Sequence, residues 1–262
     1  MFDKKDDPKH LLRSLKKFLN YWYGDLRDWD GISPDKLEQT RLPFPLRELY
    51  SFAGNLPGDN FWDSAFSNQD CLVIYEMLET QNDKLVFAWE NQGGWTCGTE
   101  EEGEDPPVWV SIDDQPWQLL CDSLSQFLVT ICLHETLFNC EYIATENNIL
   151  DCLKERQKYI KPLWLNGYYV DSDCILGHHS FYLADSQVLI MDNQWCGTNS
   201  EEEFQILLKL FEENTEFERN LYIPDTIRKI KLDILASQHE EKAQYHSNRA
   251  KAYRKISSEI RE

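Results

Sequence analysis

The sequence predicts a chain of the α+β class, and three observations carry that expectation. The stretch Leu85–Trp117, LVFAWENQGGWTCGTEEEGEDPPVWVSIDDQPW, has the pattern of a β-hairpin followed by a further strand. Apolar residues at three-to-four spacing precede and follow it, as in amphipathic helices. Strand-like alternation then returns between Tyr168 and Met191, before another helical run.

In the hairpin stretch, Leu85 to Trp89 is an apolar run of strand-forming residues, Glu90-Asn91-Gln92-Gly93-Gly94 is a turn cluster, and Trp95 to Gly98 resumes the strand. Pro106-Pro107 fixes an extended backbone without donors, so Val108, Trp109 and Val110 form a strand after a rigid corner, with Trp109 facing away from its two valines. Met77, Trp89, Trp95, Trp109 and Trp117 would suit an aromatic ligand box, but aromatics beside strands are more often core, and they are read here as scaffold.

At 262 residues and 42% hydrophobic, the chain has enough apolar mass for a sizeable core, in one large domain or two small ones. Lys+Arg 26 against Asp+Glu 46 gives a formal charge of −20, which disfavours binding to nucleic acid and to anionic membranes. A basic partner is the favoured converse, while the plainer role of such acidity is solubility. The 8 cysteines are dispersed without a C-x-x-C pair and read as reduced, buried small hydrophobes. No signal-peptide pattern opens the chain and no apolar run reaches membrane length, so the cytoplasm is the expected compartment.

In chain order, Pro8 opens a helix with Leu11, Leu12, Leu15, Phe18, Leu19 and Trp22 on one face, ending near Gly24. Ser33-Pro34-Asp35 starts a short helical segment, and a further helix carries Leu46, Leu49, Tyr50 and Phe52 up to a stop at Gly54-Asn55. Phe61 and Trp62 are expected to pack in the core, and Cys71 to Leu78 is either a strand or a short helix. Asp122 or Ser123 caps a helix that presents Leu124, Phe127, Leu128, Ile131 and Cys132 on one face to cover the sheet.

The order LPFPLRELYSFAGN (42–55), QDCL (69–72), LVFAWENQGGWTCG (85–98), DPPVWV (105–110), Trp117 and SLSQFL (123–128) is similar to that of the SUKH superfamily, which contains the yeast cell-wall synthesis regulators and many bacterial immunity proteins. The resemblance covers the first half of the chain, with the acidic insert Glu100–Glu104 and the whole second half as departures. It implies a central, mainly antiparallel sheet flanked by helices, no catalytic apparatus or cofactor, and function through protein binding. In bacterial relatives the partner is often a toxin, frequently a nuclease or deaminase.

Residues 1–140 are accordingly expected to form the SUKH-like domain. Residues 141–222 are either an extension of its sheet or a degenerate second unit; Asp185–Gly197 faintly echoes Asn82–Gly98. A helix is expected from Asn147 to Lys161, ended by Pro162, then strands at Tyr168–Val170, His179–Leu183 and Gln187–Met191 with an Asp185-Ser186 turn. Ser200 caps a helix over 201–217 with Glu203 as its capping-box partner, and Pro224 opens a long charged C-terminal helix over 223–262.

Catalytic patterns are missing from the sequence. There is no zinc-deaminase signature, His134-Glu135 lacks a second histidine, and Cys174, His178, His179 and Cys196 match no common zinc spacing. Glu76 with Glu79, and Asp113 with Asp114, read as solvated acids rather than acid/base pairs. No metal, cofactor or catalytic residue is therefore expected. Two functions remain, an immunity protein that blocks a basic toxin domain and an intracellular scaffold with the C-terminal helix as its arm. The first would bury about 1,600 Å² around Glu100, Glu101, Glu102, Glu104, Asp105, Asp113 and Asp114.

Overall fold

Asp7 starts the first helix by accepting a hydrogen bond from the His10 N–H at 2.9 Å, with Pro8 at the first helical position, where a missing donor costs nothing. This helix, α1 (Pro8–Tyr23), buries Leu11, Leu12, Leu15, Phe18 and Leu19 and ends at Gly24, whose φ is 84°. The structure, a computed structural model, describes residues 2–56, 65–155, 159–170, 176–185 and 187–213. Phe61, Trp62, Cys174, Ser186 and the helix expected over 223–262 lie outside the described residues. Helices α2 (Pro34–Glu38) and α3 (Phe44–Ala53) begin where the prolines signal, and Gly54 ends α3.

The first sheet contains β1 (Asp70–Leu72), β2 (Glu79–Gln81), β3 (Lys84–Glu90), β4 (Trp95–Thr99), β5 (Val108–Ile112) and β6 (Gln118–Cys121). Its order is β1-β3-β4-β5-β6, with β2 also paired to β3, and every pairing is antiparallel. The segment left open at Cys71–Leu78 is a strand end followed by a 3-10 turn at Tyr75–Met77. Register puts Leu85, Thr99, Val108 and Cys121 in one inward row and Val86, Gly98, Trp109 and Leu119 in the neighbouring outward row. Trp109 does face away from Val108 and Val110.

Ser123 caps α4 (Leu124–Phe138) by accepting from the Gln126 N–H at 3.2 Å. The expectation of one apolar face is corrected: every residue of α4 from Phe127 to Leu137 is buried, including Val129, Thr130 and Leu133. A helix buried all round belongs in the middle of a core, and α4 packs on α1 and α3 and also on strands of a second sheet. Phe127 links the layers, with its ring 5.8 Å from Phe87 of β3 and 6.2 Å from Tyr169.

That second sheet contains β7 (Tyr142–Thr145), β8 (Ile160–Tyr169), β9 (Gly177–Ala184), β10 (Val188–Met191) and β11 (Trp195–Thr198), with α5 (Ile149–Glu155) after β7 and α6 (Glu201–Glu213) last. The order is β7-β11-β10-β9-β8, again antiparallel, so the strands after residue 141 build a sheet of their own and do not lengthen the first. All four residues of β10 are buried because both faces are covered. Leu189 and Met191 join the core around α4, while Val188 and Ile190 pack with Phe204, Leu207 and Phe211 of α6. Ser200 Oγ accepts from the Glu203 N–H at 3.3 Å, as a cap should.

The helix expected as far as Lys161 is also corrected. Residues 160 and 161 already belong to β8, and Pro162 lies inside that strand rather than ending a helix. β8 is an edge strand with an irregular register beside Pro162, the place in a sheet where a residue without an N–H is tolerated.

Gly167 marks where β8 meets α4. A Cβ there would lie 2.1 Å from Trp164 Nε1 and 2.3 Å from Thr130 Oγ1, the two atoms that hydrogen-bond each other at 2.9 Å. Gly167→Ala is therefore expected to lower the unfolding free energy by about 1–3 kcal/mol, the usual cost of overpacking a core, as measured by denaturant titration.

Candidate functional site

Two groups of residues stand out for chemistry or recognition: the acidic loop between β4 and β5, and a buried polar cluster between the sheets. In the loop, four of the predicted acids have partners. Glu100 pairs with Lys84 at 3.0 Å, Glu101 accepts from the Thr80 hydroxyl at 2.7 Å, Glu102 lies 3.7 Å from Arg41, and Glu104 lies 3.2 Å from Lys9. Gly103, at φ 126°, turns its carbonyl to accept from the Phe44 N–H at 2.9 Å, which ties the loop to the start of α3.

Asp105 differs from its neighbours. Its carboxylate accepts from the Ser125 N–H at 2.7 Å and from the Ser123 and Ser125 hydroxyls at 2.7 and 2.9 Å, so it anchors the N-terminus of α4, where negative charge is favourable. Asp113 and Asp114 form the exposed β5–β6 turn in left-handed conformations, φ 48° and 59°, and the Asp113 N–H donates to Gly94 O of the hairpin turn at 3.0 Å. The seven acids do not gather: Glu100–Asp105 follow Thr99 at one end of the β4–β5 pair, and Asp113 and Asp114 follow Ile112 at the other; Glu102, Glu104, Asp113 and Asp114 are exposed, Glu100 and Glu101 half-buried, and Asp105 holds α4.

The buried cluster was not legible as a site. Glu135, in the middle of α4 and fully buried, accepts three successive backbone N–H groups, from Asn68 (2.7 Å), Gln69 (2.8 Å) and Asp70 (3.0 Å). Its Oε1 also lies 2.8 Å from His134 Nδ1. Tyr169 of β8 donates its hydroxyl proton to Asp70 Oδ2 at 2.5 Å, which leaves the phenol oxygen to accept from His134 Nδ1–H at 3.1 Å. The His134 ring stacks on Tyr169 (4.5 Å) and on His179 (5.3 Å), and His179 Nδ1 meets Asp192 Oδ2 at 2.5 Å.

Burial lifts the Asp70 carboxyl above the ordinary carboxylate range, against the opposing pull of the Tyr169 hydrogen bond and of His134. Burial, reinforced by the charges of Asp70 and Glu135, pushes the Tyr169 hydroxyl well above the usual phenol value. Asp70, His134 and Glu135 bring ligating atoms within 4.8 Å of one another, as a metal site would require. Both Glu135 oxygens are already engaged by three amide dipoles pointing their positive ends inward, however, and a cation would meet that same field. The arrangement suits a latch between α4, β1 and β8 better than a ligand site.

The other candidate groupings separate. Among the described residues of the suggested zinc set, His179 is bound to Asp192, adjacent His178 is exposed, and Cys196 is buried with its thiol pushed up to about 12. Glu76 pairs with Lys36 at 3.3 Å and Glu79 accepts from the Gln81 side chain at 2.6 Å. Of the aromatic set, Trp95 is core, whereas Trp89, Trp109 and Trp117 are half-buried and Met77 is exposed. The seven described cysteines form no disulfide among themselves, and six of them are buried. No helix among the described residues is long and apolar enough to cross a membrane. Comparisons with family models, with curated proteins and with solved structures give no match.

Two outcomes check these assignments. Asp105→Ala is expected to cost about 1–2 kcal/mol of stability by removing the α4 anchor, whereas Glu102→Gln should leave the denaturation curve in place, since an exposed pair contributes little. For Asp70 the folded state holds the proton more tightly than the unfolded chain. The resulting stabilisation is complete below the unfolded value of 3.8 and is lost as pH rises through the raised folded pKa. Asp70→Asn keeps an acceptor for Tyr169 and removes the ionisation, so its melting temperature relative to the wild type should climb as pH rises from about 3.5 to 7, followed by thermal melts at each pH.

Proposed function

We propose that this chain is a non-catalytic protein-binding module of the SUKH type, and that it acts as an immunity protein which binds and neutralises a basic toxin domain. The observation that carries the reading is the charge. The chain has an excess of 20 negative charges, and Glu102 and Glu104 stand exposed in the β4–β5 loop at one end of the first sheet, with Asp113 and Asp114 exposed at the opposite end, charges that favour a partner of opposite sign. A nuclease or deaminase surface is basic where it grips phosphate, so an acidic protein can occupy it, with association accelerated by long-range attraction.

Two further features support the reading. The quoted motifs coincide with α3, β1, the β3–β4 hairpin, β5 and the first turns of α4, the elements an antiparallel sheet flanked by helices requires. The most catalytic-looking constellation, Asp70-His134-Glu135-Tyr169, is closed in the interior with its groups bonded to one another, where no substrate reaches it.

The test is co-expression with the toxic domain encoded beside this gene. Rescue of growth and a 1:1 complex are expected, with affinity falling about tenfold or more between 50 and 500 mM salt as screening shortens the reach of the charges. Growth that stays arrested, with no complex on gel filtration, would sink the immunity reading.

A further inference from the structure

The outward face of the first sheet differs from every other sheet face in the described residues in what it leaves uncovered. The second sheet is packed on both sides, by α4 and its neighbours on one and by α5 and α6 on the other. The first sheet packs its inward rows on α4, through Phe87, Cys97, Val108 and Val110. Its outward rows carry Trp89, Trp109, Trp117 and Leu119, all half-buried or exposed, with Leu119 at 51%. Gly98 is buried, with Lys84 Cβ 2.8 Å and the Trp117 ring 3.1 Å from where its Cβ would be.

Three tryptophans and a leucine on one solvent-facing side of a sheet are costly to maintain for folding alone, and aromatic anchors of this kind dominate the energetics of protein interfaces. Trp109 adds a second sign. Its indole N–H is buried and has no acceptor among the described residues, a group that ordinarily finds a partner.

The charge around the face identifies the occupant. Glu79 and Gln81 stand on the same side of the sheet as Lys84 and Val86, and Glu100 borders it. Lys84 is already held by Glu100 at 3.0 Å, with its ammonium 4.9 Å from the Trp109 ring centroid. That internal contact shows how the face takes a cation: over an indole and against a carboxylate. A second copy of the chain would bring the same negative excess, so it is disfavoured.

The geometry points to the outward face of β3–β6, centred on Trp109, Trp117 and Leu119, as the docking surface for a basic protein segment that presents arginine or lysine beside an aliphatic or aromatic side chain. The cation stacks on an indole beside Glu100, as Lys84 does, and the apolar side chain covers Leu119. This assignment rests on the reading of the chain as a protein-binding module and moves the centre of contact from the acidic loop to the sheet beside it.

The test uses a random 12-residue peptide library displayed on phage and panned against the full chain, followed by titration of the enriched peptides by fluorescence anisotropy. Enriched sequences are expected to combine Arg or Lys with Leu or an aromatic residue. Leu119→Ser, which changes no charge at an exposed position, is expected to weaken them about tenfold with an unchanged melting temperature, and Leu119→Arg more. Peptides that lack basic residues, or no enrichment, overturn both the docking face and the acidic-module reading. Basic peptides indifferent to Leu119→Ser but weakened by Glu102→Gln with Glu104→Gln overturn the face and leave the acidic edge. Self-association in sedimentation runs that Leu119→Arg abolishes would overturn the basic occupant in favour of a second copy.

Discussion

A single buried carboxylate organises this molecule. Glu135 lies at the centre of α4 with no exposure, and an ion in that position is tolerable only if its charge is answered locally. Three consecutive amide groups, Asn68 to Asp70, and the ring of His134 supply the answer. The consequence reaches both sheets. The amides fix the entry to β1, β1 pairs with β3, and Asp70 takes the Tyr169 hydroxyl from β8. Loss of the carboxylate would leave three backbone N–H donors, the one on Asp70 buried, without their acceptor, so α4, the β1 edge and β8 depend on one another through this residue.

With α4 buried on all sides and β10 covered on both faces, the polar groups that stay inside, Glu135, His134 and Asp70 among them, are bonded to one another or to the backbone. The acidic loop does structural service as well, since Asp105 holds the start of α4 and Gly103 receives the start of α3. Glu102 and Glu104 lie on the surface beside Arg41 and Lys9, and Asp113 and Asp114 are exposed in the β5–β6 turn.

The two hairpins that echo each other in sequence show how far a local pattern reaches. Asn82–Gly98 and Asp185–Gly197 both form antiparallel hairpins, β3–β4 and β10–β11, as their turn residues and strand formers dictate. In the second hairpin every residue of β10 is buried, because α6 closes its far side. In the first, Trp89 reaches solvent, as do Trp109 and Trp117 in the segments that follow, because the outward rows are left uncovered among the described residues. Local chemistry chooses the hairpin, and packing partners from distant parts of the chain choose its environment.

What the sequence determined by itself is the set of local elements whose signals lie within a few residues: the Pro8 helix with its Gly24 stop, the hairpin around Gly93-Gly94, the strand after Pro106-Pro107, the Ser123 and Ser200 caps, and with them the α+β class. Only the tertiary structure decided that α4 is central rather than a cover, that Pro162 sits in an edge strand, and that the strands after residue 141 form a second sheet. It alone also brought together Asp70, His134, Glu135, Tyr169 and His179, which are up to 109 positions apart. The physical reason is range. Capping, turn and periodicity preferences act between neighbours, whereas burial of an ion, coverage of a sheet face and the tolerance of a proline at an edge depend on which distant segment arrives to pack there.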